Sequence, residues 1–465
     1  MEDKPLSGKT RRRISDGELS VRVCEVLDQL GYSQSMVEHR REAWREANGI
    51  VNSTGQNPTI LIAGSKAEGF TAPSESDTDR VFLDNYTMCR IPEDDSPTLS
   101  NTKCEFTMDK EHCHPGHFRL EQKEAGAYEC LNIKQALFVH DNGRTFVSSE
   151  KYRTSYMQDK TKETISGPAL TGCNEYYSWD FVYAFPCTSQ QQLLAEWINR
   201  PRHHNWPTPD LIAEVPKLEA QMVPVGCKSS EHKDIEWRVC FIPSEQRLTN
   251  SWEENQYKIY ILLKLIKKSQ LKPISEEISS YVLKNIMLWY TEQNPRHIFQ
   301  KEHLLQNVIL CLKNLKEAIN TNHLPYYMIP GRNLLTGKIS LELKQQLIEK
   351  VKELIQEGPN VILRLPKVQA ALKMSPAELA ERGRWRDELE KLALERWNIW
   401  LTHWRPGMET EELPFPNKID ELAWQDPDYI RVDEKMNDMV WPQWREYHGD
   451  DRRDILRRKV AHPLS

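Results

Sequence analysis

The sequence of 465 residues has no run approaching the ~20 consecutive apolar residues that a membrane-spanning helix needs, which excludes a membrane-embedded class. The opening residues, Met1-Glu2-Asp3-Lys4-Pro5 and then Arg11-Arg12-Arg13, hold no apolar core, so a secretory signal is not expected. Nor is there a strong excess of one charge. With 62 Lys and Arg against 68 Asp and Glu the net charge is −6, which excludes a globally basic nucleic-acid coat and leaves a local basic face open. No segment repeats at a fixed period, so fibrous classes drop out as well. The ten cysteines are then expected as reduced thiols, and the protein as cytoplasmic. At ~100–200 residues per domain, the length suits two to four domains.

What is present changes character along the chain. Residues 1–17 are polar and basic and read as a disordered tail. From Glu18 to Val51 apolar residues recur at helix spacing (Val23, Val26, Leu27, Leu30), Gly31 interrupts, and Arg40, Arg41 and Arg45 follow. This predicts one long, kinked helix with a basic stripe, which is either a binding face or simply a solvated one. Short β-branched runs, Pro58–Ala63, Val81–Leu83 and Trp179–Phe185, read as strands, the last ended by Pro186. Helices are predicted over 257–268, 278–289, 303–320, 341–356 and 375–404. Segment 241–340 carries 13 Lys and Arg against 8 Asp and Glu, whereas 405–454 carries 7 against 14. Beyond 366 the chain holds 7 of its 14 tryptophans and reads, past 404, as a loosely structured, Trp-anchored tail.

Asp77-Thr78-Asp79 means little alone, since acid-x-acid triplets are common in a chain this acidic. Its setting gives it weight. Alternate residues of a strand point the same way, so both carboxylates would share one face, an arrangement that suits an oxygen-seeking Mg²⁺ ion. Gly64-Ser65, twelve residues upstream of Asp77, ends a strand where backbone N–H groups and a hydroxyl could approach a phosphate. Asp180, between apolar neighbours on its own strand, is a candidate third ligand. Two Mg²⁺ ions ~3.5–4 Å apart, held by such carboxylates, serve in-line nucleotidyl transfer. The competing reading is a pair of surface turns and a capped helix. The cluster Cys104, His112, Cys113, His114 and His117 matches no four-ligand zinc spacing and reads as a Pro-Gly turn.

Taken together, Gly64-Ser65, Glu68-Gly69-Phe70 and Ser76-Asp77-Thr78-Asp79 resemble the catalytic start of the cyclic GMP-AMP synthase-like receptors, within the wider male-abnormal domain family of nucleotidyltransferases. Gly167-Pro168-Ala169 with Asp180-Phe181-Val182, then Trp206-Pro207, Glu236-Trp237-Arg238 and Leu263-Lys264-Leu265 follow in family order. So do Ser279-Ser280-Tyr281 and Tyr326-Tyr327-Met328-Ile329-Pro330, and the resemblance covers about 18–365.

The resemblance implies an α+β, two-lobed nucleotidyltransferase fold: a core with a mixed sheet and a spine helix over 18–245, a helical lobe over 246–365, and a Trp-rich helical extension over 366–465. It implies that Asp77, Asp79 and Asp180 are catalytic and hold two Mg²⁺ ions, with Mn²⁺ as an alternative. Gly64 and Ser65 would cradle a triphosphate, Arg238 and Lys264 would meet nucleotide, Ser280 would hydrogen-bond and Tyr281 would stack on a base. The substrates would be nucleoside triphosphates (ATP and/or GTP, with UTP a further candidate), joined into a cyclic dinucleotide for innate immune signalling. Arg40, Arg41 and Arg45 would receive a nucleic acid. Arg247–Tyr260 contains no Cys or His, so no zinc thumb is implied, and double-stranded RNA is expected ahead of DNA. Cys240 stands where relatives often carry Ser, which leaves base choice open. The alternative is a catalytically silent member acting as a scaffold.

Overall fold

The structure, a computed structural model, describes residues 15–53, 55, 57–73, 75–94, 103–126, 130–157, 163–173, 178–403 and 417–440. Most of the expected basic tail, and with it Trp404, Trp441 and Trp444, lies outside these residues.

Ser15 opens α1 (Asp16–Leu27) with a capping box: its hydroxyl accepts from the Glu18 amide, and the Glu18 carboxylate accepts from the Ser15 amide at 2.9 Å. Helix therefore begins inside the segment read as tail. At Gly31 the backbone turns to φ +89°, a region open to glycine, and Ser33 caps the continuation, α2 (Gln34–Asn52). The kinked spine helix is thus present, with its kink at the interrupting glycine.

Twelve strands follow among the described residues. They are β1 (Thr59–Ala63), β2 (Thr78–Leu83), β3 (Thr87–Arg90), β4 (Cys104–Asp109), β5 (His117–Glu124) and β6 (Leu137–Val139). The others are β7 (Thr145–Val147), β8 (Glu163–Ser166), β9 (Ala169–Cys173), β10 (Ser178–Cys187), β11 (Ala220–Val223) and β12 (Glu236–Cys240). The main order is β1-β2-β10-β11-β12-β5-β4-β3, and a pairing of Cys187 with Cys89 joins β3 back to β10. The hub is β10: its first half lies between β2 and β9, its second half between β11 and β3. It also runs through Pro186, where the sequence predicted an end, because proline removes one ladder donor without leaving extended backbone.

Helix α3 (Ile242–Asn250), which the sequence did not announce, comes next, and α4 (Glu254–Ile266), α5 (Ser280–Glu292), α6 (Leu304–Thr321) and α7 (Leu341–Glu357) follow within a few residues of the predicted spans. One apolar cluster runs from Phe106, Phe185 and Trp237 in the sheet through Ile259 and Leu263 to Leu315 and Leu347. The architecture is mixed α/β with sheet and helices sharing a core.

The C-terminal part is more ordered than the sequence predicted. Helices α8 (Pro366–Leu372) and α9 (Pro376–Thr402) are followed by α10 (Asn417–Ala423) and α11 (Pro427–Val440). Val432, Met436 and Val440 of α11 pack on Leu389 and Leu392 of α9, while Leu394, Trp400 and Leu401 pack on Ala43, Trp44 and Ala47 of α2. Tryptophans do anchor this part: the Trp400 indole donates to Asp420 at 2.8 Å and the Trp385 indole to the Met439 carbonyl at 3.2 Å.

Candidate active site

The start of β2 and the parallel register of β10 place the acidic residues. Asp79 pairs across the ladder with Asp180, and Asp77, immediately before β2 begins at Thr78, is near enough for its carboxylate to act on both. Each flanking carboxylate has a hydroxyl donor: Thr171 donates to Asp180 at 2.6 Å, and Ser178 donates to Asp77. Burial, then the neighbouring Asp180 and Asp77 carboxylates, push Asp79 up to about 7. Asp180 is raised as well, by burial and by Asp77 against the Thr171 hydrogen bond.

Ala63, the last residue of β1, pairs with Asp79, and the chain then turns through the helical segment Gly64–Ala67. Gly64 adopts φ +71°, and a Cβ there would fall 1.8 Å from Asp79 Oδ2. Only glycine lets the Asp79 carboxylate lie against this turn. Ser65 is in hydrogen-bond contact with the Tyr260 hydroxyl of α4.

The next residue, Lys66, is one that sequence reasoning missed. It is 5% exposed, its Nζ donates to Thr78 Oγ1 at 2.9 Å between the two aspartates, and burial lowers it to about 8 against the pull of Asp79 and Asp77. A lysine directly after Gly-Ser carries no pattern of its own, so nothing in the spacing marked it.

Across from the turn, α4 and α5 carry a second group. Lys284 Nζ donates to Glu68 Oε1 at 2.6 Å and to Glu245 Oε2 at 3.3 Å. Although burial disfavours its charge, these two carboxylates hold Lys284 well above the ordinary lysine value. Tyr281 and Tyr326 both donate to Glu245 Oε1, at 2.8 and 2.7 Å. Lys264 has no such partner: its buried Nζ lies 5.6 Å from the Tyr260 ring centre without a hydrogen bond, and burial lowers it to about 8. Ser280 is the first residue of α5, whose cap is the Ser279 hydroxyl. The Ser280 carbonyl accepts from the Tyr260 hydroxyl at 3.3 Å. Arg238 lies on β12 near Tyr281 and Tyr326, its buried Nε unpaired.

The predicted basic face is corrected. Arg40 is 1% exposed and clasped by Glu390 of α9 at 2.5 and 2.8 Å, with a third bond to the Gly69 carbonyl. Arg41 is spent on the carbonyls of Glu68, Thr249 and Asn250 and lies over the Phe70 ring. Arg45 remains exposed, 3.6 Å from Glu42. Two of the three arginines are therefore interior pins of the spine helix, and α9 covers the side on which Arg40 lies.

The oxygen donors of Asp77, Asp79 and Asp180 are of the chemistry Mg²⁺ prefers, and two adjoining carboxylates with a raised Asp79 are what a cation would relieve. Among the described residues, however, no three His, Cys, Asp or Glu side chains are gathered as a finished ligand set. The strands bring the donors to one edge; the Thr171 and Ser178 hydroxyls occupy part of their capacity. Also among the described residues, no helix is long and apolar enough to cross a membrane.

The acidic strand pair thus lies beside the Gly64-Ser65 turn, with Lys264 and Lys284 on α4 and α5. Comparison with known proteins shows what the chain is similar to. Residues 255–353, from α4 into α7, match the sequence profile of the Mab-21 protein HhH/H2TH-like domain. A cyclic GMP-AMP synthase-like receptor of Aethina tumida is 31% identical over 102 residues, 22% of this chain and 25% of that protein. The Drosophila melanogaster protein mab-21-like is 26% identical over 152 residues, 31% of this chain and 41% of that protein. The chain thus spans less than half the length of these relatives, and the resemblance read from its motifs is shown at low identity.

Proposed function

We propose that this protein is a Mg²⁺-dependent nucleotidyltransferase that joins two nucleoside triphosphates, ATP and/or GTP with UTP a further candidate, into a cyclic dinucleotide for innate immune signalling. The observation that carries the reading is the Asp79–Asp180 register, with Asp77 close by, just before β2, and Gly64 shaped around Asp79. In this reading the sheet and the helices after α3 are two lobes closing on one cleft. Asp77, Asp79 and Asp180 would hold the metal, which when bound supplies charge neutralisation at the reacting phosphate. The Gly64 and Ser65 amides bind the triphosphate, and the unpaired Lys264 ammonium offers it a countercharge. Tyr281, oriented by Glu245, presents its ring to a base. In each of two displacements a sugar hydroxyl forms the new O–P bond at an α-phosphate and pyrophosphate leaves. The chain's contribution is positioning and fixed charge.

Activation by double-stranded RNA remains part of the reading through the resemblance alone, and docking through Arg40 and Arg41 is withdrawn from it. A second reading, a silent scaffold, is favoured by the hydroxyl-bound state of Asp77 and Asp180. The deciding experiment incubates the full chain with four labelled nucleoside triphosphates and Mg²⁺, with duplex RNA, duplex DNA or neither. A phosphatase-resistant product supports the enzyme, and its dependence on duplex identifies the trigger. No product under any condition supports the scaffold.

A further inference from the structure

The connection that carries the chain from the Gly64 turn to Asp77 is held from outside, and much of the hold comes from the C-terminal extension. Its first part is anchored by Phe70, buried against Trp252, Tyr257 and Tyr260. Past Phe70 the sequence Thr71-Ala72-Pro73-Ser74-Glu75-Ser76 offers no large apolar side chain, and Glu75 supplies an anchor of another kind. Its Oε1 accepts from Lys367 of α8, while its Oε2 accepts from the Tyr32 hydroxyl at 3.2 Å and from the Ala72 amide at 3.3 Å. At the other end of the connection the Gly69 carbonyl accepts from Arg40 at 3.2 Å, and Arg40 is the residue that Glu390 of α9 clasps.

The extension grips the spine helix beside Tyr32 as well. A Cβ at Gly31 would fall 2.6 Å from Arg386 Cζ, and Arg386 Nη1 donates to the Gln29 carbonyl at 2.9 Å. Val368 and Ala371 of α8 are buried in the apolar cluster that holds Val23 and Leu27 of α1. Lys367 is therefore delivered to Glu75 by a packed helix. A segment with few buried apolar contacts opens at small cost unless something else ties it. A charge-assisted hydrogen bond is about twice as strong as a neutral one, so Lys367 is the main tie on Glu75. Ser76 and Asp77 follow directly, and the course of the chain here decides whether the Asp77 carboxylate joins Asp79 and Asp180.

We infer that Lys367 is a positioning residue: through Glu75, the extension straps residues 69–76 and sets Asp77 beside Asp79. Lys367 acts on the chain alone and touches no reacting group. This gives α8 and α9, which lie beyond the family resemblance, a task at the site. The strap stands without the proposed function; only its consequence for metal binding rests on that reading.

The test reads amide hydrogen exchange in the full, metal-free chain, and Mn²⁺ binding by calorimetry, in wild type, Lys367→Met, Lys367→Arg and Lys373→Met. The Lys367 side chain is 43% exposed, so its replacement leaves the core intact, and Lys373, exposed at the end of α8, is the control. In Lys367→Met, exchange at the Ala72 and Glu75 amides is expected to quicken at least about tenfold, with β10 and α5 unchanged. Mn²⁺ affinity is expected to fall about tenfold in the same variant. Lys367→Arg should restore both, and Lys373→Met should match the wild type. Unchanged exchange in Lys367→Met overturns the strap, as does a rise spread equally over β10 and α5, which marks general destabilisation. Equal Mn²⁺ affinity in wild type and Lys367→Met overturns the positioning of Asp77. A wild type that binds no Mn²⁺ and makes no dinucleotide removes the enzyme reading, and the exchange result then decides the strap by itself.

Discussion

Arg40 and Glu390 form a bidentate ion pair between the spine helix and a helix 350 residues further on, with both side chains almost wholly buried. The pair fastens α9 to α2, where Asn398 also donates to the Ala43 carbonyl at 3.1 Å and to Glu46 at 2.8 Å. Removing one partner of such a pair strands the other charge in a poorly solvated place. Glu390→Ala is therefore expected to cost about 3–5 kcal/mol, measured by urea unfolding. A loss below about 1 kcal/mol would mean that the apolar contacts of Trp44 and Leu401 alone hold the extension.

The acidic edge makes the opposite prediction. Because its folded-state value is raised to about 7 from 3.8, ionised Asp79 is disfavoured in the native state, and that cost is complete above about pH 7. Asp79→Asn should therefore stabilise the metal-free protein at pH 7.5 by roughly 1–3 kcal/mol. Added Mg²⁺ should raise the melting temperature of the wild type and leave that of the variant unchanged. A variant that is less stable and responds equally to Mg²⁺ would show that the carboxylate has a structural role.

His117 sets a pH dependence of the other sign. Its value falls from 6.5 to about 3, through burial first and then Arg332 and Arg238, with His114 adding to the same effect. The native ring stays neutral where the unfolded chain takes up a proton. Stability from this group is full above pH 6.5 and is lost as pH falls toward 3, by up to about 1.4 kcal/mol per pH unit. His117→Gln should lose less stability than the wild type between pH 6.5 and 4.5, by roughly 1–2 kcal/mol in denaturant titrations. Parallel curves would place the ring in contact with solvent.

Much of this arrangement is legible in the sequence, because it depends on local periods. The run at 81–83 marked the strand at whose start Asp77 and Asp79 lie, the apolar run at 179–185 put Asp180 on a strand, and Gly31 marked the kink. What the sequence did not disclose depends on pairings between distant residues. A helical stripe with Arg40 looks solvated until Glu390 is brought to it, and nothing in local spacing announces that contact. Lys66 and Glu245 owe their character to neighbours on other elements. Helix α11 was within reach: Tyr429, Val432, Met436 and Val440 recur at helix spacing, but an acidic setting obscured them.

The central claim is that the Asp77, Asp79 and Asp180 edge performs nucleotidyl transfer. It is tested most directly by comparing wild type with Asp180→Asn, both shown to be folded, for phosphatase-resistant product from labelled nucleoside triphosphates and Mg²⁺. The account predicts product from the wild type and a loss of at least about 100-fold in the variant. Equal product from both proteins, or none from a wild type that binds Mg²⁺ and nucleotide, would contradict it.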